Sequence, residues 1–216
     1  MTSVWVAAPD SARIRPLSTS SSILLVPLEL LQDAFTTYDT LTAPVLARRT
    51  MRSFAATAIT RLLADADVAV TAASTTAVVP SEVLDLVAAV DPAHSRVGVF
   101  LNEATLTTLQ KFCAYTAGYY PNMIGTDSQG RGTVFGKPVF SSPSMPALSA
   151  GAKVIAFGNF KRFYVRRVAG SLVLQRYDER YAEYAEVGFS MAWRAQAAMA
   201  QSTNNPVPVR LLACHS

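Results

Sequence analysis

The stretch Phe157-Gly158-Asn159-Phe160 lies at the centre of a series of short motifs in the second half of the chain. The other members of the series are, in order, Gly136-Lys137-Pro138-Val139, Met145-Pro146, Arg176-Tyr177-Asp178-Glu179, Tyr181 and Val187-Gly188-Phe189. None of them places a nucleophile beside a base, or metal ligands at a recognisable spacing. The series therefore contains no arrangement that predicts catalysis.

The composition is apolar for a chain that works alone. Half of the 216 residues are hydrophobic and 16% are charged, which is more apolar and less charged than the average soluble domain. Large exposed apolar surfaces mark interaction sites, so this balance favours an oligomer. An Ala- and Val-rich source composition gives the same average, and composition alone does not choose between the two. The net charge of +4 is too small to predict a nucleic-acid partner.

The cysteines and the N-terminal residues indicate the compartment. Cys113 and Cys214 are the only cysteines, too few for a disulfide framework. The start, Met1-Thr2-Ser3-Val4-Trp5, lacks the basic residues and apolar core of a secretion signal. No apolar run has the length of a membrane span. We expect intracellular assembly with reduced thiols and no membrane partner.

The first half of the chain is dominated by a predicted long helix at residues 41–64. Its apolar residues recur at three- and four-residue spacing, and Pro44 is expected in the first turn, where a missing N–H costs nothing. A strand at 23–26 and a short helix or turn at 27–33 precede it. The small, Thr-rich residues 65–79 are typical of a linker. The predicted apolar side of the helix consists of Met51, Phe54, Ala55, Ala58 and Leu62.

The second half is predicted to combine two helices with short strands. Ser81 and Asn102 are the expected N-caps of these helices, the second of which covers 103–112. The glycines of residues 115–134 predict a long loop. Residues 183–199 mix helix and strand signals, and both alternatives stay open. The predicted strands lie at 96–101, 139–140, 154–157 and 207–212, and a hairpin that turns at Gly170 lies at 163–176.

Two enzymatic interpretations are weak. Cys113 with His94 or His215 suggests a nucleophile and its base, but a single cysteine at an apolar helix end is more often packed in a core. Gly136-Lys137 suggests a phosphate loop, but Pro138 follows where that motif needs Ser or Thr and a helix.

The charged clusters have two interpretations each. Asp178, Glu179, Glu183 and Glu186 suit a cation, but arginines interleave with them, and we favour ion pairs or subunit contacts. Two basic groups suit either DNA phosphates or acidic residues of a neighbouring subunit, and we favour the neighbour. These basic residues are Arg48, Arg49 and Arg52 on the long helix, and Lys161, Arg162, Arg166 and Arg167 beside the hairpin.

In their order, the motifs resemble the C-terminal half of the major capsid proteins of tailed bacteriophages (the Hong Kong phage fold). Glu29-Leu30-Leu31-Gln32-Asp33, ahead of the long helix, resembles the box that precedes the family's spine helix. The resemblance implies an α+β fold, with a peripheral domain of one long helix on an antiparallel sheet and an axial domain of a small sheet flanked by helices. The implied domains are an N-terminal extended segment at 1–40, a peripheral domain at 41–78 and 157–195, and an axial domain at 79–156 and 196–216.

The resemblance also implies a function. The chain would self-assemble into pentamers and hexamers of an icosahedral head that encloses double-stranded DNA, in the virion and assembled in the host bacterial cytoplasm. It implies no catalytic residue, metal or cofactor, and its further partners would be portal, scaffold or decoration proteins. The alternatives are the shell of an encapsulin-like nanocompartment and, from a different class, a monomeric cysteine hydrolase. The candidate subunit-interface residues are Arg48, Arg49, Arg52, Gly125, Gly130, Gly132, Arg166, Arg167, Gly170, Asp178 and Glu179.

One feature departs from the family pattern. Family members carry an N-terminal arm and a long extended loop ahead of the Glu-Leu-Leu-Gln-Asp box, whereas here only 22 residues precede Ile23. We expect either a reduced subunit or a truncated or processed chain.

Overall fold

A computed structural model describes residues 17–20, 23–33, 38–94, 97–115, 123–170, 172–199 and 207–216. The helices in these residues are α1 (Leu28–Asp33), α2 (Tyr38–Asp65), α3 (Pro80–Ala88) and α4 (Glu103–Tyr115). The strands are β1 (Leu17–Ser20), β2 (Leu24–Pro27), β3 (Asp67–Thr71), β4 (Gly98–Leu101), β5 (Ile124–Thr126), β6 (Gly132–Val134), β7 (Lys137–Ser141), β8 (Lys153–Gly158), β9 (Phe163–Arg167), β10 (Val173–Tyr177), β11 (Glu186–Met199) and β12 (Val209–Ala213).

The chain forms two compact units. The smaller unit comprises the described residues of 13–58 and 165–197, and the larger unit those of 59–164 and 198–216. The chain thus passes from the smaller unit to the larger one, returns, and ends in the larger unit.

The sheet of the smaller unit is built around β11. This strand pairs antiparallel with β1, with β2 and with β10, and β9 pairs with it as well. Strand β1 pairs with residues 192–195 of β11, and β2 pairs with residues 186–189 of β11. The region 183–199, which carried mixed signals, is therefore a short 3-10 turn at Ala182–Tyr184 followed by one long strand.

Helix α2 supplies the other layer of the smaller unit. Leu46 is fully buried in a cluster with Val26, Val187 and Phe189, and the ring of Phe54 meets that of Trp193 edge-on at 5.0 Å. A long helix lying on an antiparallel sheet is the architecture expected for the peripheral domain.

Two details of the predicted helix are wrong. The helix begins at Tyr38, so Pro44 lies in its second turn. Because proline has no backbone N–H, one hydrogen bond inside the helix is missing there. Met51, placed on the apolar side, is 58% exposed. The buried positions are Thr42, Leu46, Thr50, Ile59 and Leu62, of which only Leu62 was predicted. The Thr50 hydroxyl donates to the Leu46 carbonyl at 2.8 Å.

The larger unit holds a seven-stranded sheet in the order β3-β12-β8-β4-β7-β6-β5. Successive residues of a strand point to opposite faces, and the sheet is apolar on both. Ile155 and Phe157 of β8 pack in a cluster with Val83 and Leu86 of α3 and with residues of α4. Ala156 packs in a second cluster with the end of α2 and with Leu211 of β12. Helices therefore cover both faces of the sheet.

Of the two predicted helix N-caps, Asn102 is confirmed and Ser81 is wrong. Asn102 caps α4, because its Oδ1 accepts from the Ala104 N–H at 3.0 Å. Ser81 is not the N-cap of α3. The first helical residue is Pro80 and the N-cap is Val79. The Glu82 carboxylate accepts from the N–H groups of Val79 at 2.9 Å and Ala73 at 2.7 Å. The Glu82 carboxylate, at the third helical position, thus binds the N–H of the N-cap residue, as the glutamate of a capping box does.

Two predicted loops contain strands. Within 65–79, predicted as a linker, β3 pairs in parallel with β12. Within 115–134, β5 and β6 form an antiparallel hairpin that extends the sheet through β7. Residues 116–122 of that predicted loop lie outside the described residues. Both segments are short and rich in Gly or Thr, so their strand signal depends on partners that are distant in sequence.

The hairpin predicted at 163–176 is also corrected. Its two strands exist as β9 and β10 and Gly170 turns between them with φ +69°, but in the described residues each strand pairs with β11 and not with the other. The Val168 N–H donates to the Arg194 carbonyl of β11 at 3.1 Å. The pairing differs because β11 is long enough to provide a partner for both segments.

Candidate functional site

The clearest surface feature of the smaller unit is a group of exposed apolar residues on β9 and β10. Val173 and Leu174 point to opposite faces of β10, yet each is 46% exposed. The adjoining Leu172 is 62% exposed and Val165 of β9 is 54% exposed. In the described part of the chain, β10 is only partly covered on either face. Apolar surface of this kind marks an interaction site.

A small apolar cavity lies beside these strands, between α2 and the sheet. Its volume is about 150 Å³, and the Trp193 indole forms part of its wall. Met51 and Leu172 stand at its rim, where both are mostly exposed. The remaining lining comes from Ala47 and Thr50 of α2, from Met191 of β11, and from Arg167, Val168 and Gly170 at and after β9. The cavity is therefore open to solvent and almost wholly apolar.

The predicted arginines all lie in the smaller unit. Arg48, Arg49 and Arg52 are exposed on α2, and no ion pair forms to them among the described residues. Arg166 and Arg167 are exposed on neighbouring positions of β9. Arg167 is the one predicted arginine that lines the cavity, and the predicted Gly170 lines it as well.

The predicted acidic cluster is partly neutralised within its own loop. The Arg176 Nε donates to Asp178 Oδ1 at 2.6 Å, and Glu179 beside it is exposed. Exposed pairs such as this one contribute about 1 kcal/mol or less to folding. Among the described residues, no group of three or more His, Cys, Asp or Glu side chains is placed to hold a metal ion.

Three of the four predicted glycines lie in the β5–β6 hairpin of the larger unit, whereas Gly170 lies in the smaller unit. Gly130 turns at the tip with φ +73°, and its N–H donates to the Asp127 carbonyl at 2.8 Å. Arg131 pairs with the Asp127 carboxylate at 3.2 Å. The Ser128 N–H and Arg131 both donate to this carboxylate, and they lower its pKa. Gly125 lies in β5 and Gly132 begins β6.

The enzymatic interpretations find no support in the geometry. The partly buried Cys113 packs against the core of the larger unit, with its Sγ 3.4 Å from the Met123 Sδ, and burial raises the pKa of its thiol. A catalytic cysteine needs the opposite shift. Phe135 and Gly136 form a tight turn between β6 and β7, with φ values of +49° and +70°, so a strand follows Gly136 where a phosphate loop needs a helix.

Two of the quoted motifs are explained by close approach of the backbone. Gly158 has φ +151° and lies directly against Pro208, and the Asn159 N–H donates to the Pro208 carbonyl at 2.8 Å. At Gly188, a β-carbon would lie 2.8 Å from the Tyr181 ring. Phe-Gly-Asn-Phe and Val-Gly-Phe therefore maintain the fold, and neither forms a binding site.

Sequence reasoning missed the cavity, although one signal was present. Leu172-Val173-Leu174 is a run of three apolar residues, with no polar position between them. A strand with one solvated face would alternate. Such a run in a short strand indicates burial on both faces, which this chain alone does not provide.

An α+β chain with these two units has the fold of capsid shell proteins. The capsid of a native GTA particle matches with a TM-score of 0.69 at 19% identity, over 94% of this chain and 74% of that one. A structure from Mycobacterium phage Bobi matches with a TM-score of 0.57 at 12% identity, over 93% and 73%. The SrpI encapsulin of Synechococcus elongatus PCC 7942 matches with a TM-score of 0.61 at 13% identity, over 92% and 73%.

The sequence matches the phage capsid family over residues 13–203, and the chain belongs to that family. The predicted family and α+β fold are confirmed, and membership makes the chain a structural shell protein. No curated protein matches it. None of the helices in the described residues combines the length and apolar content that crossing a bilayer requires.

Proposed function

We propose that this chain is a major capsid protein that self-assembles into the pentamers and hexamers of an icosahedral phage head enclosing double-stranded DNA. The observation that carries the proposal is β10, whose Val173 and Leu174 are both about half exposed on opposite faces. A subunit that neighbours surround on several sides leaves such a strand uncovered until it assembles. Repeated contacts between unlike surfaces close into rings and shells, and many modest contacts together give a stable particle.

The two units correspond to the two domains that a capsid subunit needs. We assign the smaller unit as the peripheral domain, because it lays α2 on an antiparallel sheet. We assign the larger unit as the axial domain, with the β5–β6 hairpin and its glycines near the symmetry axis of the capsomer. Gly130 at the hairpin tip allows copies to approach closely there, since no side chain intervenes.

The charged residues serve contacts between subunits in this proposal. The exposed Arg48, Arg49 and Arg52 would meet acidic residues of a neighbour, with the exposed Glu179 as one candidate. Packaged DNA is the other partner that these arginines suit, through contacts to phosphates that weaken as salt rises. Portal, scaffold and decoration proteins would complete a virion assembled in the host bacterial cytoplasm.

A nanocompartment shell is the second candidate. The match to the SrpI encapsulin, at a TM-score of 0.61, lies within the range of the phage matches, so the fold serves both functions. The contents of the particle separate the two, because a phage head encloses DNA and a nanocompartment encloses protein.

Particles purified from a host that expresses the full chain provide the test. After nuclease treatment of the exterior, we expect particles that retain protected double-stranded DNA when the packaging partners are present, and empty shells when they are absent. Particles that retain a stoichiometric protein cargo and no nucleic acid would establish the nanocompartment instead. A chain that forms no particle under either condition would contradict both candidates.

A further inference from the structure

We infer that Leu30 of one copy of this chain enters the cavity between α2 and the sheet of a neighbouring copy, with Glu29 of the first copy pairing with Arg167 of the second. This inference rests on the proposed shell function and names one contact within it. The contact joins two different surfaces of the smaller unit, so it repeats from copy to copy in one direction.

The cavity fits one apolar side chain. Its volume is about 150 Å³ and its wall is almost wholly apolar, with the Trp193 indole on one side and Met51 and Leu172 at the rim. An apolar cavity of this volume admits a single ring-sized or branched apolar group. It is too small for a lipid chain or a nucleotide, and its lining offers almost no polar groups to hold either.

Leu30 has the properties of the group that fills it. It is 54% exposed on α1, so it does not occupy the cavity of its own chain. The helix beneath it is held in place, because the Leu28 N–H donates to the Ala185 carbonyl at 2.8 Å and Leu31 packs against the core of the smaller unit. A leucine fixed on a short exposed helix loses little further freedom when it enters a pocket.

The charges beside the two apolar surfaces are complementary. Glu29, next to Leu30, is exposed and has no ion pair within the described residues. Arg167 lines the cavity, is exposed, and likewise has none in the described part of the chain. An acid beside the inserted leucine and a base beside the cavity fix the orientation of the contact and exclude wrong pairings.

Charge reversal tests the contact. Glu29→Arg and Arg167→Glu each place like charges together, and we expect each to raise the protein concentration needed for assembly by about tenfold or more. The double variant restores the opposite charges, and we expect it to assemble within about threefold of the unaltered chain. Single reversals that assemble like the unaltered chain would overturn the inference.

Leu30→Ser tests the apolar part, with Leu84→Ser as its matched control. Leu84 is 40% exposed on α3 of the larger unit, so both substitutions remove an exposed leucine from a helix. We expect Leu30→Ser to impair assembly about tenfold while Leu84→Ser does not, with circular dichroism and the melting temperature unchanged in both. Equal behaviour of the two variants in assembly would contradict the inference.

A disulfide cross-link tests the contact directly, without relying on variants whose assembly could change because they fold less well. Leu30→Cys combined with Met51→Cys places the two thiols of neighbouring copies side by side, and mild oxidation should produce a ladder of disulfide-linked chains on a non-reducing gel. Leu84→Cys combined with Met51→Cys should produce none. If the unaltered chain forms shells but no ladder appears, the inference fails while the proposed function stands. If the unaltered chain forms no shells, both fail.

Discussion

The backbone of Gly158 at the end of β8 lies directly against that of Pro208, just before β12. A β-carbon on Gly158 would fall on the Pro208 carbonyl oxygen and 2.7 Å from the Cα of Val209. The φ of Gly158 is +151°, which L-residues with side chains rarely adopt. The glycine of the Phe-Gly-Asn-Phe motif is therefore required by the approach of two strands that are distant in sequence.

Gly158→Ala is expected to destabilise the larger unit severely. The backbone strain and the overlap with Pro208 each cost about 1–3 kcal/mol, so we expect a loss of about 3 kcal/mol or more, seen in denaturant unfolding or as insoluble protein. Gly132→Ala is the matched control, since a β-carbon there meets nothing within 4 Å. It should change the free energy of unfolding by about 1 kcal/mol or less. Similar losses in the two variants would contradict this account of the motif.

Asn102 makes two separate hydrogen bonds, and two variants distinguish their contributions to stability. Its Oδ1 caps α4, and its Nδ2 donates to the carbonyl of the buried Met145 at 2.6 Å. Asn102→Ser keeps a capping oxygen but cannot reach that carbonyl, so we expect a loss of about 1–2 kcal/mol in the free energy of unfolding. Asn102→Ala also loses the cap and should cost about 1 kcal/mol more. Equal losses for both variants would show that the cap contributes nothing.

Gly188 and Tyr181 are expected to be energetically coupled. A β-carbon on Gly188 would lie 2.8 Å from the Tyr181 Cε2 and 3.1 Å from the Ile23 Cγ2. Gly188→Ala should therefore cost about 1–2 kcal/mol of stability in the native background and clearly less in a Tyr181→Ala background. The double-mutant cycle is measured by chemical denaturation. Additive losses would mean that the tyrosine ring is not what excludes a side chain at this position.

Cys113 is expected to react slowly with thiol reagents. Burial raises the pKa of its thiol, so at neutral pH it is thiolate to a smaller extent than an ordinary cysteine. The rate of alkylation by iodoacetamide, followed at Cys113 by peptide mass spectrometry, should be low at pH 7. It should keep rising above about pH 10, where the rate of an ordinary thiol levels off. Rapid stoichiometric labelling at neutral pH would contradict this prediction and support the cysteine hydrolase alternative.

The sequence predicted the local features of this fold well and the long-range pairings poorly. The long helix, the Asn102 cap and the closing strand follow from spacing and side-chain chemistry within a few residues. The strand β3 and the hairpin β5–β6 did not, because Gly- and Thr-rich segments become strands only when a distant partner lies beside them. The pairing of β9 and β10 with β11 has the same origin, since no local signal distinguishes it from a hairpin.

The candidate site shows the same division. The exposed arginines were predictable from the sequence, because charged side chains seldom pack inside. The cavity that Arg167 lines was not, since α2 and β11 meet there from distant parts of the chain. The unbroken apolar run at 172–174 could have indicated that β10 needs to be covered on both faces.

The most direct test of the shell function is the size of the purified full chain in solution. Size-exclusion chromatography with light scattering, followed by negative-stain electron microscopy, measures it without any variant. The proposed function predicts a fraction of megadalton mass that images as rings or closed shells of uniform diameter. A single species of about 23 kDa across the accessible concentration range, with no particles on the grid, would contradict self-assembly.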